Sequence, residues 1–157
     1  MKTEYGMTLL QLPKVELKVG IAFRSGSESL HWGTVFLESS SPFHDGPETV
    51  ENFLNRRKEQ FFPFFDHQNN KFFQVNRKAI FFLYEPIVET ERMIGAPAMV
   101  FLSDGGAHDV FQITDLPSDH SRLQDYMNLD REFLVFSKTE ALLYFNRSHI
   151  LKVTEHE

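Results

Sequence analysis

The chain has 157 residues, 41% of them hydrophobic, and 16 lysines and arginines against 22 aspartates and glutamates give a formal charge of −6. That length holds one ordinary domain or two small ones with a packed core, and the acidic balance argues against general electrostatic attachment to nucleic acid or an anionic membrane, which needs concentrated positive charge. The absence of cysteine removes disulfides, thiolate catalysis and cysteine-based zinc sites, and it fits a reducing compartment.

Residues 1–15 contain Glu4 and no sustained apolar run, so they do not read as a signal peptide. No apolar stretch approaches membrane-spanning length, and a soluble, cytoplasmic protein is the expectation. Val15, Leu17, Val19, Ile21 and Phe23 alternate with Lys14, Glu16, Lys18, Gly20, Ala22 and Arg24, the period-two pattern of a half-buried strand. Ser25-Gly26-Ser27 turns the chain, and residues 33–37 read as a second strand returning antiparallel to the first. A helix signal follows: Asp45 as cap, Pro47 in the first turn, Glu48 at a capping-box spacing, and Val50, Phe53 and Leu54 on one apolar face. The helix is expected to end near Asn55, ahead of the basic cluster Arg56-Arg57-Lys58.

Residues 61–65 form an aromatic strand, which Pro63 marks as an edge or a bulge because proline cannot donate to a ladder. His67-Gln68-Asn69-Asn70 is a turn, and residues 72–75 and 80–83 are short strands hinged at Asn76-Arg77-Lys78. Residues 85–97 hold Pro86, Gly95 and Pro97 among Glu85, Glu89 and Glu91 and read as a connector. Strands at 99–102 and 110–113 follow around a turn at Ser103-Asp104-Gly105-Gly106. Ser118 is the expected cap of a second helix carrying Leu123, Tyr126 and Met127, and strands at 133–136, 142–145 and 150–153 complete the chain.

The order of elements thus occurs twice. Asn-Arg-Xaa-Xaa-Ile stands at Asn76-Arg77…Ile80 and again at Asn146-Arg147…Ile150, and Phe23 and Phe101 lie 78 positions apart, Asn55 and Asn128 73, Asn76 and Asn146 70. A steadily shrinking offset is what a second copy with shortened loops would give. The expected fold is mainly β (α+β), with two tandem small β-barrel-like units, each β-β-α-β-β-β, at residues 14–84 and 98–157. Units of about 60 to 70 residues are marginal alone, so the two would pack together or oligomerise.

Leu54-Asn55, Phe61-Phe62-Pro63-Phe64 and Val75-Asn76-Arg77-Lys78-Ala79-Ile80 resemble the pattern of an uncharacterised bacterial family. The strand order and last hairpin of each unit are also remotely similar to the Sm-like small β-barrel, which implies RNA or nucleotide binding at polar turns. Sm-like proteins place their helix ahead of the first strand, whereas here it falls between the second and third. Under that resemblance Asn76, Arg77, Asn146 and Arg147 would hold bases and phosphate. The ordinary reading of these residues is that asparagine tolerates turn geometry and arginine solvates it.

The seven histidines, among them His44, His67 and His108, fall in expected loops or at element ends with no ligand spacing, so no metal and no cofactor is expected. No nucleophile elbow presents a serine and no glycine-rich loop opens a helix. The cluster Arg56-Arg57-Lys58 reads as a solvated helix end, since positive charge complements that terminus. Phe81 and Leu83 match Leu151 and Val153, but Phe82 becomes Lys152, so Phe82 needs a cover that the second unit does not. The sequence therefore points to a non-enzymatic assembly or binding module acting through strand edges and aromatic faces. Phe61, Phe62, Phe64, Phe65, Phe72 and Phe82 would supply its core and interface, in a homo-oligomer or with a protein partner. RNA binding is the alternative, and a metal-dependent hydrolase using loop histidines the weaker one.

Overall fold

The computed structural model describes residues 14–26, 30–87, 95–113 and 120–155. In chain order these residues form β1 (Lys14–Ala22), β2 (His31–Glu38), α1 (Val50–Asn55), β3 (Phe61–Asp66), β4 (Lys71–Asn76), a 3-10 turn (Arg77–Ala79) and β5 (Phe82–Pro86). There follow β6 (Pro97–Leu102), β7 (Ala107–Phe111), α2 (His120–Met127), β8 (Phe133–Lys138), β9 (Ala141–Asn146), a second 3-10 turn (Arg147–His149) and β10 (Ile150–Glu155). The strands make one antiparallel sheet in the order β10-β6-β7-β8-β9-β5-β1-β2-β3-β4.

The mainly-β expectation holds. Among the described residues, however, the strands form a single continuous sheet that is not closed, in place of two separate barrels, and β10 and β4 are its two ends. β5 runs through Pro86, past the boundary expected at residue 84. Ser27, Ser118 and residues 88–94 of the connector lie outside the described residues.

β1 realises its alternation: Lys14, Glu16 and Lys18 face solvent, and everything from Val19 to Ala22 is buried. It pairs with β2 along its length, from Lys14↔Glu38 to Ile21↔His31. β2 meets β3 only at Gly33↔Asp66 and Thr34↔Phe65, and there glycine is required, because a Cβ on Gly33 would come within 2.3 Å of the Phe65 carbonyl oxygen. Pro63 lies two residues beyond the last β2 pair, opposite Gln74 of β4. Its missing N–H therefore falls where β3 has parted from β2. β4, not β3, is the outermost strand on that side.

The cap of α1 differs from expectation. Thr49 is the N-cap, its Oγ1 accepting from Asn52 N–H at 3.1 Å, while Asp45 and Pro47 belong to the preceding turn through Gly46 (φ 98°). Glu48 is instead buried, accepts the Glu38 N–H and is paired with Arg57, which also donates to the Phe36 carbonyl. Burial would raise the Glu48 carboxyl pKa, but the Arg57 guanidinium and the Glu38 N–H outweigh it and hold it below the usual range. Arg57 thus ties the helix end to β2 and is not a solvated residue. Val50, Phe53 and Leu54 are buried as expected, and α1 ends at Asn55.

Two hydrophobic clusters fill the interior, and they interlock at the β5–β9 pair. Phe133 and Tyr144, from the second half of the chain, belong to the cluster built on Val19, Val35, Phe53, Phe62 and Leu83. Ala22 and Phe82, from the first half, belong to the cluster built on Val100, Leu102, Phe136, Leu143 and Phe145. β9 is therefore the cover that Phe82 required, and Phe82 is 1% exposed.

Candidate functional site

The β5–β9 junction is held by a register running from Phe82↔Phe145 to Pro86↔Ala141. Flanking it, the Asn55 side chain clasps the Phe133 backbone from both sides, donating to its carbonyl (3.1 Å) and accepting its N–H (2.7 Å). Arg131 pairs with Glu51 at 2.6 Å, and the Tyr144 hydroxyl donates to Glu85 at 2.8 Å. Burial, then the Glu85 carboxylate, pushes the Tyr144 phenol far upward, so it stays a donor. Asn146, 1% exposed, donates across the junction to the carbonyls of Lys78 and Ile80. His149 stacks on Phe81 at 4.2 Å.

The two Asn-Arg turns share local geometry and differ in surroundings. Asn76 and Asn146 each cap a 3-10 turn, accepting the N–H of Lys78 and Ser148. Arg77 is buried and makes four hydrogen bonds to the carbonyls of Phe53, Leu54 and Glu59, closing the C-terminal end of α1. Burial lowers its pKa. It has no exposed edge to offer a phosphate. Arg147 is exposed and donates to the Leu129 carbonyl. The second Asn-Arg turn lies against the first, with Asn146 and His149 both bonded to the Lys78 carbonyl, but Asn146 and Arg77 are interior, so of the four residues read as RNA-binding only Asn76 and Arg147 reach the surface.

The aromatic residues divide as sharply. Phe62, Phe64 and Phe82 are core, at 3% exposure or less. Phe65 is half-buried. Phe61 (50%) and Phe72 (59%) are exposed, joined by Phe73 (40%) and by Leu151 (66%), which the sequence matched to Phe81 on an apolar face expected to be core. Phe72 packs its ring on Phe65 and Phe36 on one sheet face. Phe73 lies on the other face, where a cavity of about 400 Å³ is bounded by Phe23, His31, Phe64, Asp66, Phe73 and Val75. At the opposite end of the sheet a groove of about 690 Å³ runs between β10 and α2, lined by residues 150–155 and by Leu123 and Met127.

The histidine expectation fails at His108. It lies in β7 instead of a loop, is buried against Phe82 and Phe145, and bonds the Ser25 carbonyl at 2.8 Å. Burial lowers its pKa. His67 bonds Thr34 at 2.8 Å and His44 bonds the Asp45 carbonyl at 2.9 Å. No group of three or more histidines and carboxylates able to hold a metal ion occurs among the described residues. No helix among them is long and apolar enough to cross a membrane. The chain matches no family model, no curated protein and no solved structure.

Proposed function

We propose that the protein is a non-enzymatic assembly module whose working surfaces are the two ends of its sheet. The observation that carries this reading is where the large apolar side chains are exposed. Of the six exposed among the described residues, four (Phe61, Phe72, Phe73 and Leu151) lie on β3, β4 and β10, the strands at or beside the sheet ends. A sheet end presents unpaired backbone donors and acceptors, and apolar side chains beside them make a template for strand addition.

A two-unit organisation supports the same reading: the first seven elements and the last seven follow the same order, and the matched Asn-Arg turns have the same cap. In this reading β5 and β9 already show how one unit adds to another, while β10 and β4 are the corresponding strands left at the ends. One matched position shifts, because Ala22↔Phe82 and Phe101↔Lys152 pair Phe101 with Ala22 instead of Phe23. Size-exclusion chromatography with light scattering, combined with affinity capture, tests the reading. A species heavier than one chain, or a captured partner, is expected and should be lost on Phe72→Glu/Phe73→Glu. A monomer that captures nothing overturns it.

A further inference from the structure

We infer that the partner at these ends is a second copy of this chain, with β4 of one copy added antiparallel to β10 of the next in the register that β9 and β5 adopt within each copy. This rests on the assembly reading and names its partner. Advancing β5 by 70 positions gives β10, and moving β9 back by 70 gives β4, so Phe82↔Phe145 becomes Lys152↔Val75 and Tyr84↔Leu143 becomes Thr154↔Phe73. Both strands are ends of the sheet.

Each device of the internal junction has its counterpart at the ends. Phe133, clasped by Asn55 and buried, corresponds to Phe61, half exposed at the start of β3; Asn55 corresponds to Asn128, exposed after α2. The groove of about 690 Å³ along β10 and α2 borders the strand to which β4 would add. Across the junction Tyr144 donates to Glu85; the matching pair is Gln74, an amide donor, and Glu155.

The decisive match is the cavity beside β4. Phe82 sits in a nest that includes His108, Phe136, Leu143 and Phe145. Their counterparts His31, Phe64, Phe73 and Val75 line the 400 Å³ cavity, and the residue corresponding to Phe82 is Lys152 of the second copy. A lysine would be misplaced in the apolar nest that Phe82 fills, but this cavity also has Asp66 in its wall. The lysine stem can lie against the aromatic rings while its ammonium meets the carboxylate. The contact is head-to-tail, so it closes into a ring or continues as a filament.

The chain has no cysteine, which makes single introduced thiols unambiguous reporters. Antiparallel partners lie about 4.5–5.5 Å apart at Cα, within disulfide range. Phe73→Cys and Thr154→Cys are therefore co-expressed on two distinguishable copies and oxidised. A cross-link between the two variants, with neither variant linking to itself, is expected. Self-linking of either variant would overturn the register, as would a chain that stays monomeric in light scattering. A monomer that captures a different protein at these strands overturns self-assembly while leaving the assembly reading intact. As a second measurement, Lys152→Glu should weaken concentration-dependent association at least tenfold and Lys152→Phe should preserve it; unchanged association in Lys152→Glu counts against the cavity match.

Discussion

β9 and β4 both run out of a hairpin and into an Asn-Arg turn, yet one is buried along almost its whole length and the other exposed along its first four residues. Their sequences anticipate this: β9 is Ala-Leu-Leu-Tyr-Phe-Asn, while β4 opens on Lys71 and places Gln74 where β9 has Tyr144. The difference teaches that a strand's position in the sheet, set by long-range pairing, decides whether the same local motif is architecture or surface. The paired arginines show it again. Arg77 closes a helix inside the molecule, whereas Arg147 holds a single carbonyl at the surface.

The comparison breaks most severely at Phe82 and Lys152. Phe82→Ala should cost about 3–5 kcal/mol in denaturant unfolding, because it leaves a cavity where the two clusters interlock. Lys152→Ala should stay within about 0.5 kcal/mol in the isolated chain, since its side chain is exposed. An equal loss at both positions would erase the asymmetry. Arg77→Ala should cost about 3 kcal/mol by orphaning buried carbonyls, against under about 1 kcal/mol for Arg147→Ala, as read from urea midpoints. Asn55→Ala, which breaks the two-sided clasp on Phe133, should cost about 1–3 kcal/mol, and Asn128→Ala close to nothing.

The smallest effect is one of pH. His108 has its folded pKa below the unfolded value of about 6.5, so the unfolded chain takes the proton first and stability falls as pH drops from about 6.5. Asp66 and Asp104 also have lowered pKa values, for which hydrogen bonds outweigh burial, and their contribution is lost only further down, below the ordinary carboxylate range. Melting temperature against pH should therefore bend first near 6.5, and His108→Gln should remove that bend while leaving the acidic one.

Strands and turns were legible wherever short-range pattern determines them. The alternation of β1, the apolar face of α1 and the Asn-capped turns before β5 and β10 could all be read from neighbouring residues. The Phe82-to-Lys152 contrast also correctly announced that something must cover β5. What covers it could not be read, because β9 reaches β5 from the other half of the chain and no local periodicity records a partner that distant. The helix cap was misread for a related reason: Asp45-Gly46-Pro47-Glu48 satisfies the spacing of a capping box, but Gly46 turns the chain and Glu48 is taken by Arg57. His108 was missed because the expected strand began at residue 110, whereas the pairing Val100↔His108 carries β7 back to Ala107 and places it in the sheet.

The interlocked clusters also order events during synthesis. β5 leaves the ribosome well before β9 exists, and until then the aromatic face of Phe82 has no second cluster to enter, while Leu83 lacks Phe133 and Tyr144 beside it. A nascent first half is thus an incomplete template carrying a sticky strand, which the end strands of other chains nearby can meet before β9 is made. Translation speed through the segment between β5 and β9 would then decide how much of the product is correctly joined within itself before it meets another copy.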